Sequence, residues 1–143
     1  MQPQKNEPGI YTLILSLPQA EQITVGSLGV MDFARGFYSY TGSARGSGGL
    51  KRVDRHILVS IGINKTRRWH IDYLLPHAGF LEVFISKTTR DLECRIATAM
   101  GKRLVPVPGF GCTDCRCKGH LHYSPGLGEM RAAVAAAHSA AVI

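Results

Sequence analysis

The chain has 143 residues, of which 45% are hydrophobic and 19% charged. This length fits a single domain, 1–143, and the composition excludes an intrinsically disordered protein. No run approaches the roughly 18 consecutive apolar residues of a membrane span, and the opening MQPQKNEPG lacks the apolar segment of a secretory signal. We therefore expect a cytoplasmic protein that is not in a membrane, with its four cysteines as thiols or metal ligands rather than disulfides.

Positive charge is concentrated in one part of the chain. Seventeen Lys and Arg against ten Asp and Glu give a net charge of +7. Residues 35–72 contain eight basic and two acidic residues, a net +6. Such a segment fits a polyanion such as DNA, because each neutralised phosphate releases counterions, but it also fits a solvated surface that keeps the protein in solution.

The first half of the chain predicts strands. Apolar, β-branched and aromatic residues predict a buried strand at 10–17, an inserted hairpin at 23–27 and 30–34, and a further strand at 37–42. The sequence SARGSGG (43–49) predicts a flexible or sharply turning loop.

A helix is predicted after this loop, with Ser47 as its N-cap. Its apolar residues recur at helical spacing, at Leu50, Val53, Ile57 and Ile61. At about 100° per residue, the opposite and solvated face carries Arg52, Arg55 and His56.

The second half predicts two helices and several short strands. A short helix or irregular segment is expected at 67–75, and a strand at 80–87. Thr88 or Thr89 is expected to cap a helix that runs to about Arg103, with an apolar stripe of Leu92, Ile96, Ala99 and Met100. Short strands are expected at 104–107 and 120–124, and an Ala-rich peripheral helix or frayed tail at 125–143. This order predicts an α+β fold, a small and mostly antiparallel sheet flanked by helices.

Several motifs resemble a known family. Gly9-Ile10-Tyr11 opens the first predicted strand, and Tyr40-Thr41-Gly42 closes a later one that continues into the Arg-bearing helix. With LECRIA (92–97), WHIDYLL (69–75) and FGCTDCRCKGHLHY (110–123), they resemble the GIY-YIG nuclease domain. In more detail the sequence resembles the Uri-type group of this family, which is sometimes fused to endonuclease III in archaea. The resemblance covers about residues 9–124 and implies an α/β/α sandwich with an inserted hairpin.

The resemblance also implies a set of catalytic residues, namely Tyr11, Tyr40, Arg52, His56 and Glu93. It implies that Tyr11 and Tyr40 organise or deprotonate the attacking water, and that Arg52 contacts the scissile phosphate. Glu93 matches the carboxylate that holds a divalent metal, Mg²⁺ or Mn²⁺. This assignment fits general chemistry, because Mg²⁺ keeps several waters and needs only one or two carboxylates.

The sequence departs from the family pattern at three points, one of which is that the asparagine many members carry near the end of the module is not found. Twenty-eight residues separate Tyr11 from Tyr40, more than is usual, and the Gly-rich loop makes Arg55 a rival for the role of Arg52. Gly42 matches the glycine that lets the backbone approach the substrate. Judged without the family, the two tyrosines fit core aromatics, the arginines fit a solvated helix face and Glu93 fits an ion-pair partner.

A second cluster lies near the end of the module. Its spacing is Cys112-x2-Cys115-x-Cys117-x2-His120. Thiolates and imidazoles at this density can form a structural Zn²⁺ site, although the second separated cysteine pair of a zinc ribbon is missing, so reduced cysteines in a tight loop are the alternative.

The sequence thus predicts a metal-dependent endonuclease that acts on DNA, in repair or processing. The basic residues expected to contact DNA are Arg45, Lys51, Arg55, Lys65, Arg67 and Arg68. The alternatives are a non-catalytic nucleic-acid-binding module on the same fold and a zinc-stabilised interaction domain.

Overall fold

The computed structural model describes residues 7–44, 48–111 and 119–141. Its strands are β1 (Gly9–Leu17), β2 (Glu21–Thr24), β3 (Val30–Phe33), β4 (Gly36–Ser43), β5 (Gly79–Lys87), β6 (Val105–Pro106) and β7 (Leu121–Ser124). Its α-helices are α1 (Lys51–Ser60), α2 (His70–Leu74), α3 (Glu93–Gly101) and α4 (Leu127–Ala141), and 3₁₀ turns lie at Gly26–Leu28 and Leu75–His77.

The main sheet has the order β5-β1-β4-β7-β6, and β2 and β3 form a separate hairpin. Every neighbouring pair in both sheets is antiparallel. The predicted α+β fold with an inserted hairpin and an antiparallel sheet is therefore confirmed.

The period-two alternation of β1 divides the core between the two faces of the sheet. Tyr11 and Leu13 face α1, α2 and the hairpin, in a cluster that also contains Val53. Ile10 and Ile14 face α3 and α4 in a second cluster. The two clusters give the molecule three layers, with the sheet in the middle.

The Ala-rich C-terminal segment forms a 15-residue helix, not a frayed tail. Met130 and Val134 are fully buried against the sheet and α3, and Ala133, Ala137 and Ala141 complete the contact. Small residues at helical spacing let α4 approach its neighbours closely, and the two large side chains between them fill the second core.

The prediction for the buried face of α1 was wrong in part. His56 is 1% exposed, whereas Ile61 lies beyond the end of the helix and is 62% exposed. The buried face consists of Val53, His56 and Val59. A pattern that counts only apolar residues misses His56, because its ring is held inside by a hydrogen bond to another buried side chain.

The helix caps that the sequence predicts are not observed among the described residues. Leu92 is the N-cap of α3 and makes no side-chain capping bond, while Thr88 Oγ1 instead accepts from the backbone N–H of Arg90. Leu50 is the N-cap of α1, and Ser47 lies outside the described residues. No helix in the described part of the chain has the length and apolar character needed to cross a bilayer.

Candidate active-site cleft

A cleft of about 430 Å³ lies where the beginning of β1 and the end of β4 meet α1 and the first turn of α3. Its fourth wall is the segment around the start of α2. The side chains that line it include Tyr11, Tyr40, Arg52, His56, Arg68, Trp69, His70, Glu93, Cys94 and His120. All five residues that the sequence proposed as catalytic therefore lie around one cleft.

Tyr11 is held from two sides. Its hydroxyl lies 2.7 Å from Nε2 of His56, a full turn along α1 from Arg52. On the neighbouring strand Gly42 is paired with Tyr11, and a Cβ atom at position 42 would lie only 2.4 Å from the Tyr11 hydroxyl oxygen. Gly42 thus provides the space for the Tyr11 side chain, a role different from the substrate approach that the family pattern implies.

Three buried side chains of the cleft, Tyr11, Tyr40 and His56, are electrically neutral near pH 7. Burial raises the pKa of both Tyr11 and Tyr40 well above the usual range, and the negative charge of Glu93 adds to this while Arg52 opposes it. Burial lowers the pKa of His56 to about 4. The hydrogen bond between Tyr11 and His56 therefore joins a phenol to a neutral imidazole.

The structure separates the two arginines that the sequence left as rivals. Arg52 lines the cleft, where its Nη1 donates to the carbonyl of Ser43 at 2.7 Å and its guanidinium lies 4.9 Å from the centre of the Trp69 ring. Arg55 instead donates two parallel bonds of 2.9 Å to Asp72. Arg55 is thus a structural ion-pair partner, and Arg52 is the arginine available to a phosphate.

Asp72 organises the fourth wall. Its buried carboxylate accepts from Arg55 and from the backbone N–H groups of Arg68 and Trp69, at 2.7 and 3.0 Å. Burial would raise the pKa of Asp72, but these hydrogen bonds outweigh burial and hold it below its usual value. The sequence predicted a short helix or irregular segment at 67–75 but not this anchoring role, since Arg55 is 17 residues away from Asp72.

Trp69 is surrounded by cations. The guanidinium groups of Arg52, Arg55 and Arg68 lie 4.9, 4.4 and 5.1 Å from its ring centre. Contacts of this kind are attractive because the face of an indole ring carries partial negative charge. Trp69 therefore positions two cleft arginines, Arg52 and Arg68, as well as packing against the core.

Glu93 lies in the first turn of α3 with its side chain 22% exposed to the cleft. Its Oε2 is 2.9 Å from Nδ1 of His120, whose Nε2 is 3.8 Å from the sulfur of Cys94. The expected zinc ligand His120 thus contacts the expected magnesium ligand Glu93. The remaining zinc candidates, Cys112, Cys115 and Cys117, lie outside the described residues. Within residues 7–44, 48–111 and 119–141 no three His, Cys, Asp or Glu side chains cluster as a metal site.

A single carboxylate at the edge of a polar cleft nevertheless fits a hydrated divalent cation. Mg²⁺ and Mn²⁺ prefer oxygen ligands and retain waters, so Glu93 does not need further protein ligands. Nδ1 of His120 lies 2.9 Å from this carboxylate, in the position that outer-shell partners of metal ligands commonly take.

Most of the predicted DNA-binding residues are outside the cleft. Arg68 lines it, whereas Lys51, Lys65 and Arg67 are exposed elsewhere on the surface. Arg45 lies outside the described residues.

Residues 10–143 match the family described as domain of unknown function DUF123. The chain belongs to the DUF123 family. The match begins one residue before Tyr11 and extends through α4, so it includes every wall of the cleft. Comparisons with curated proteins and with solved structures found no match.

Proposed function

We propose that this DUF123 protein is a metal-dependent endonuclease of the GIY-YIG type that hydrolyses phosphodiester bonds in DNA. The observation that supports the proposal is the convergence of Tyr11, Tyr40, Arg52, His56 and Glu93 on one cleft. Glu93 is 82 residues from Tyr11 in sequence, and core packing alone does not require the two to share a polar cavity.

Hydrolysis of a phosphodiester needs an oriented water, a counter-charge for the phosphate and help for the leaving oxygen. Arg52 supplies the counter-charge, since the carbonyl of Ser43 and the ring of Trp69 fix its guanidinium at the cleft. Glu93 would hold Mg²⁺ or Mn²⁺, which when bound polarises the phosphate and increases the acidity of a bound water.

The tyrosines orient the attacking water in this proposal rather than remove its proton. Burial raises the pKa of Tyr11 and Tyr40, so neither is a phenolate near neutral pH. His56 fixes the Tyr11 hydroxyl at 2.7 Å, which places one hydrogen-bonding oxygen at a set position on the wall. Of the two functions that the sequence offered for these hydroxyls, orientation therefore fits the structure better.

A cleavage screen tests the proposal. Single-stranded, duplex, flap and damaged DNA are incubated with the protein and Mg²⁺ or Mn²⁺, and with EDTA as the metal-free control. We expect at least one DNA to be cut in a metal-dependent manner. The Glu93→Gln variant should lose at least about 100-fold in rate while it still binds DNA, because the metal contribution amounts to several kcal/mol.

Glu82→Gln is the matched control, because Glu82 lies on β5 away from the cleft and pairs with Arg131 of α4, so its loss should leave cleavage unchanged. Cleavage by Glu93→Gln at the wild-type rate would exclude Glu93 as the metal ligand. Salt-sensitive DNA binding with no cleavage of any substrate would favour the non-catalytic binding module, in which the exposed Lys65, Arg67 and Arg68 would contact phosphates. Elemental analysis showing one zinc per chain would favour the interaction domain.

A further inference from the structure

His70 is a cleft residue whose ring is fixed from two sides. Its Nδ1 accepts a hydrogen bond of 2.9 Å from the backbone N–H of Gly111, and Phe110 packs edge-on against it with ring centres 5.6 Å apart. Gly111 has φ of +75°, a conformation that favours glycine, and a Cβ atom there would be 3.1 Å from the Tyr40 ring. The chain therefore maintains an unusual backbone geometry at the point that holds His70.

This contact determines which nitrogen of His70 carries the proton. A neutral imidazole has one N–H, and a nitrogen that accepts from a backbone N–H must be the unprotonated one. Burial lowers the pKa of His70, so the ring is neutral near pH 7. The proton is thus on Nε2, and none of the described residues accepts a hydrogen bond from it.

We propose that His70 contacts the substrate of the cleft, and that its Nε2–H donates a hydrogen bond to an oxygen of the DNA phosphate. This inference rests on the function proposed above. His70 follows Trp69, the residue whose ring positions Arg52, so one short segment fixes both a charged and a neutral donor. The neutral donor stabilises negative charge on the phosphate and transfers no proton itself. His70 is then a catalytic residue that the resemblance does not assign, although it lies in the WHIDYLL motif (69–75).

Two substitutions separate this role from a structural one. His70→Asn retains an acceptor close to the Nδ1 position, and so keeps the bond from Gly111, but loses the distal donor. His70→Gln retains an amide N–H close to the Nε2 position and loses the acceptor for Gly111. Steady-state cleavage of the preferred DNA is measured for both variants and for wild type, with DNA affinity and thermal unfolding measured in parallel.

We expect His70→Asn to unfold like wild type and to lose about 100-fold in kcat, the usual effect of removing one donor to a developing anion. His70→Gln should retain kcat within about tenfold of wild type. The reverse order, or equal rates in the two variants, would overturn the proposal and leave His70 as the anchor of Gly111.

A second measurement does not depend on the variants. ¹⁵N NMR of histidine-labelled wild-type protein at pH 7 should show His70 as the Nε2–H tautomer, and the Nδ1–H tautomer would overturn the proposal. The cleavage data also distinguish a failure of the proposed function from a failure of the inference about His70. A wild-type protein that cuts no DNA overturns the proposed function and this inference with it. A wild-type protein that cuts, together with an unimpaired His70→Asn variant, overturns this inference alone.

Discussion

Tyr11 and Thr12 are neighbours on β1 and point to opposite faces of the sheet. Each forms a hydrogen bond to a buried histidine that is distant in sequence: Tyr11 to His56 at 2.7 Å, and Thr12 to His138 at 2.8 Å. Burial lowers the pKa of both histidines to about 4. The two pairs are therefore alike in chemistry and in burial.

They differ in how completely their hydrogen bonds are satisfied. His138 uses both ring nitrogens, since its Nδ1 is 2.8 Å from the hydroxyl of Ser86, and Thr12 also bonds to Thr41 at 2.9 Å. Nδ1 of His56 has no hydrogen-bond partner among the described residues, and the Tyr11 hydroxyl forms part of the cleft wall.

We expect a fully paired hydrogen-bond network and one with an unpaired group to have different roles. Buried polar groups are almost always paired, so a closed network such as that of His138 needs no explanation beyond attaching α4 to the sheet. An incomplete network beside a polar cavity is arranged for a molecule that is not part of the chain. We infer that the Tyr11–His56 pair has been shaped by function and that the Thr12–His138 pair has been shaped by stability.

The largest expected difference between the two hydrogen-bonded pairs is in the effects of the substitutions Tyr11→Phe and Thr12→Val. Tyr11→Phe removes the hydroxyl that orients the water and should reduce the cleavage rate by about 100-fold, the usual cost of misplacing a reacting group. Thr12→Val leaves a nitrogen of His138 unpaired in the core and should reduce the free energy of unfolding by about 1–3 kcal/mol with little change in rate. Cleavage assays and urea denaturation measure the two effects. Equal loss of cleavage in both variants would show that function does not depend on the Tyr11–His56 pair more than on the Thr12–His138 pair.

A smaller effect is expected at Gly42. Gly42→Ala places a Cβ atom 2.4 Å from the Tyr11 hydroxyl, so the ring must move. We expect a loss of about 1–3 kcal/mol in unfolding free energy from overpacking, and slower cleavage because the hydroxyl is displaced. Gly128→Ala is the control, because no side chain or distant backbone lies within 4 Å of a Cβ there and the residue is in α4. It should stabilise the protein by about 0.5–1 kcal/mol. An unchanged cleavage rate in Gly42→Ala would show that Tyr11 does not need its observed position.

Much of the fold could be predicted because it follows from local patterns. The apolar, β-branched and aromatic residues at 10–17 and the spacing of Leu92, Ile96 and Met100 correctly identified a buried strand and the buried face of α3. The burial of α4 could not be predicted with the same ease, since alanines carry little hydrophobic signal. His56 was placed on the wrong face because a buried polar residue depends on its partner, here a tyrosine 45 residues away.

The candidate site was predicted from the family resemblance rather than from periodicity. The resemblance identified Tyr11, Tyr40, Arg52 and Glu93 as site residues, and the structure places all four around one cleft. The distinction between Arg52 and Arg55 depends on Asp72, and the carboxylate of Glu93 contacts His120. Such tertiary contacts have no periodic trace in a single sequence.

The effect that compares the two histidines most directly is the dependence of stability on pH. An unfolded histidine has a pKa of about 6.5, whereas burial lowers the pKa of His56 and His138 to about 4. The unfolded chain therefore binds more protons between these values, and stability that is complete above pH 6.5 is lost as the pH falls toward 4. Each histidine contributes at most about 1.4 kcal/mol per pH unit, and His122, whose pKa burial also lowers to about 4, adds to the slope.

Urea denaturation at pH 7, 6 and 5 measures this dependence of the unfolding free energy on pH. His56→Gln and His138→Gln should each flatten the dependence by a similar amount, while only His56→Gln slows cleavage at pH 7. A His138→Gln protein whose stability falls as steeply as that of wild type would show that His138 is not buried in its neutral form.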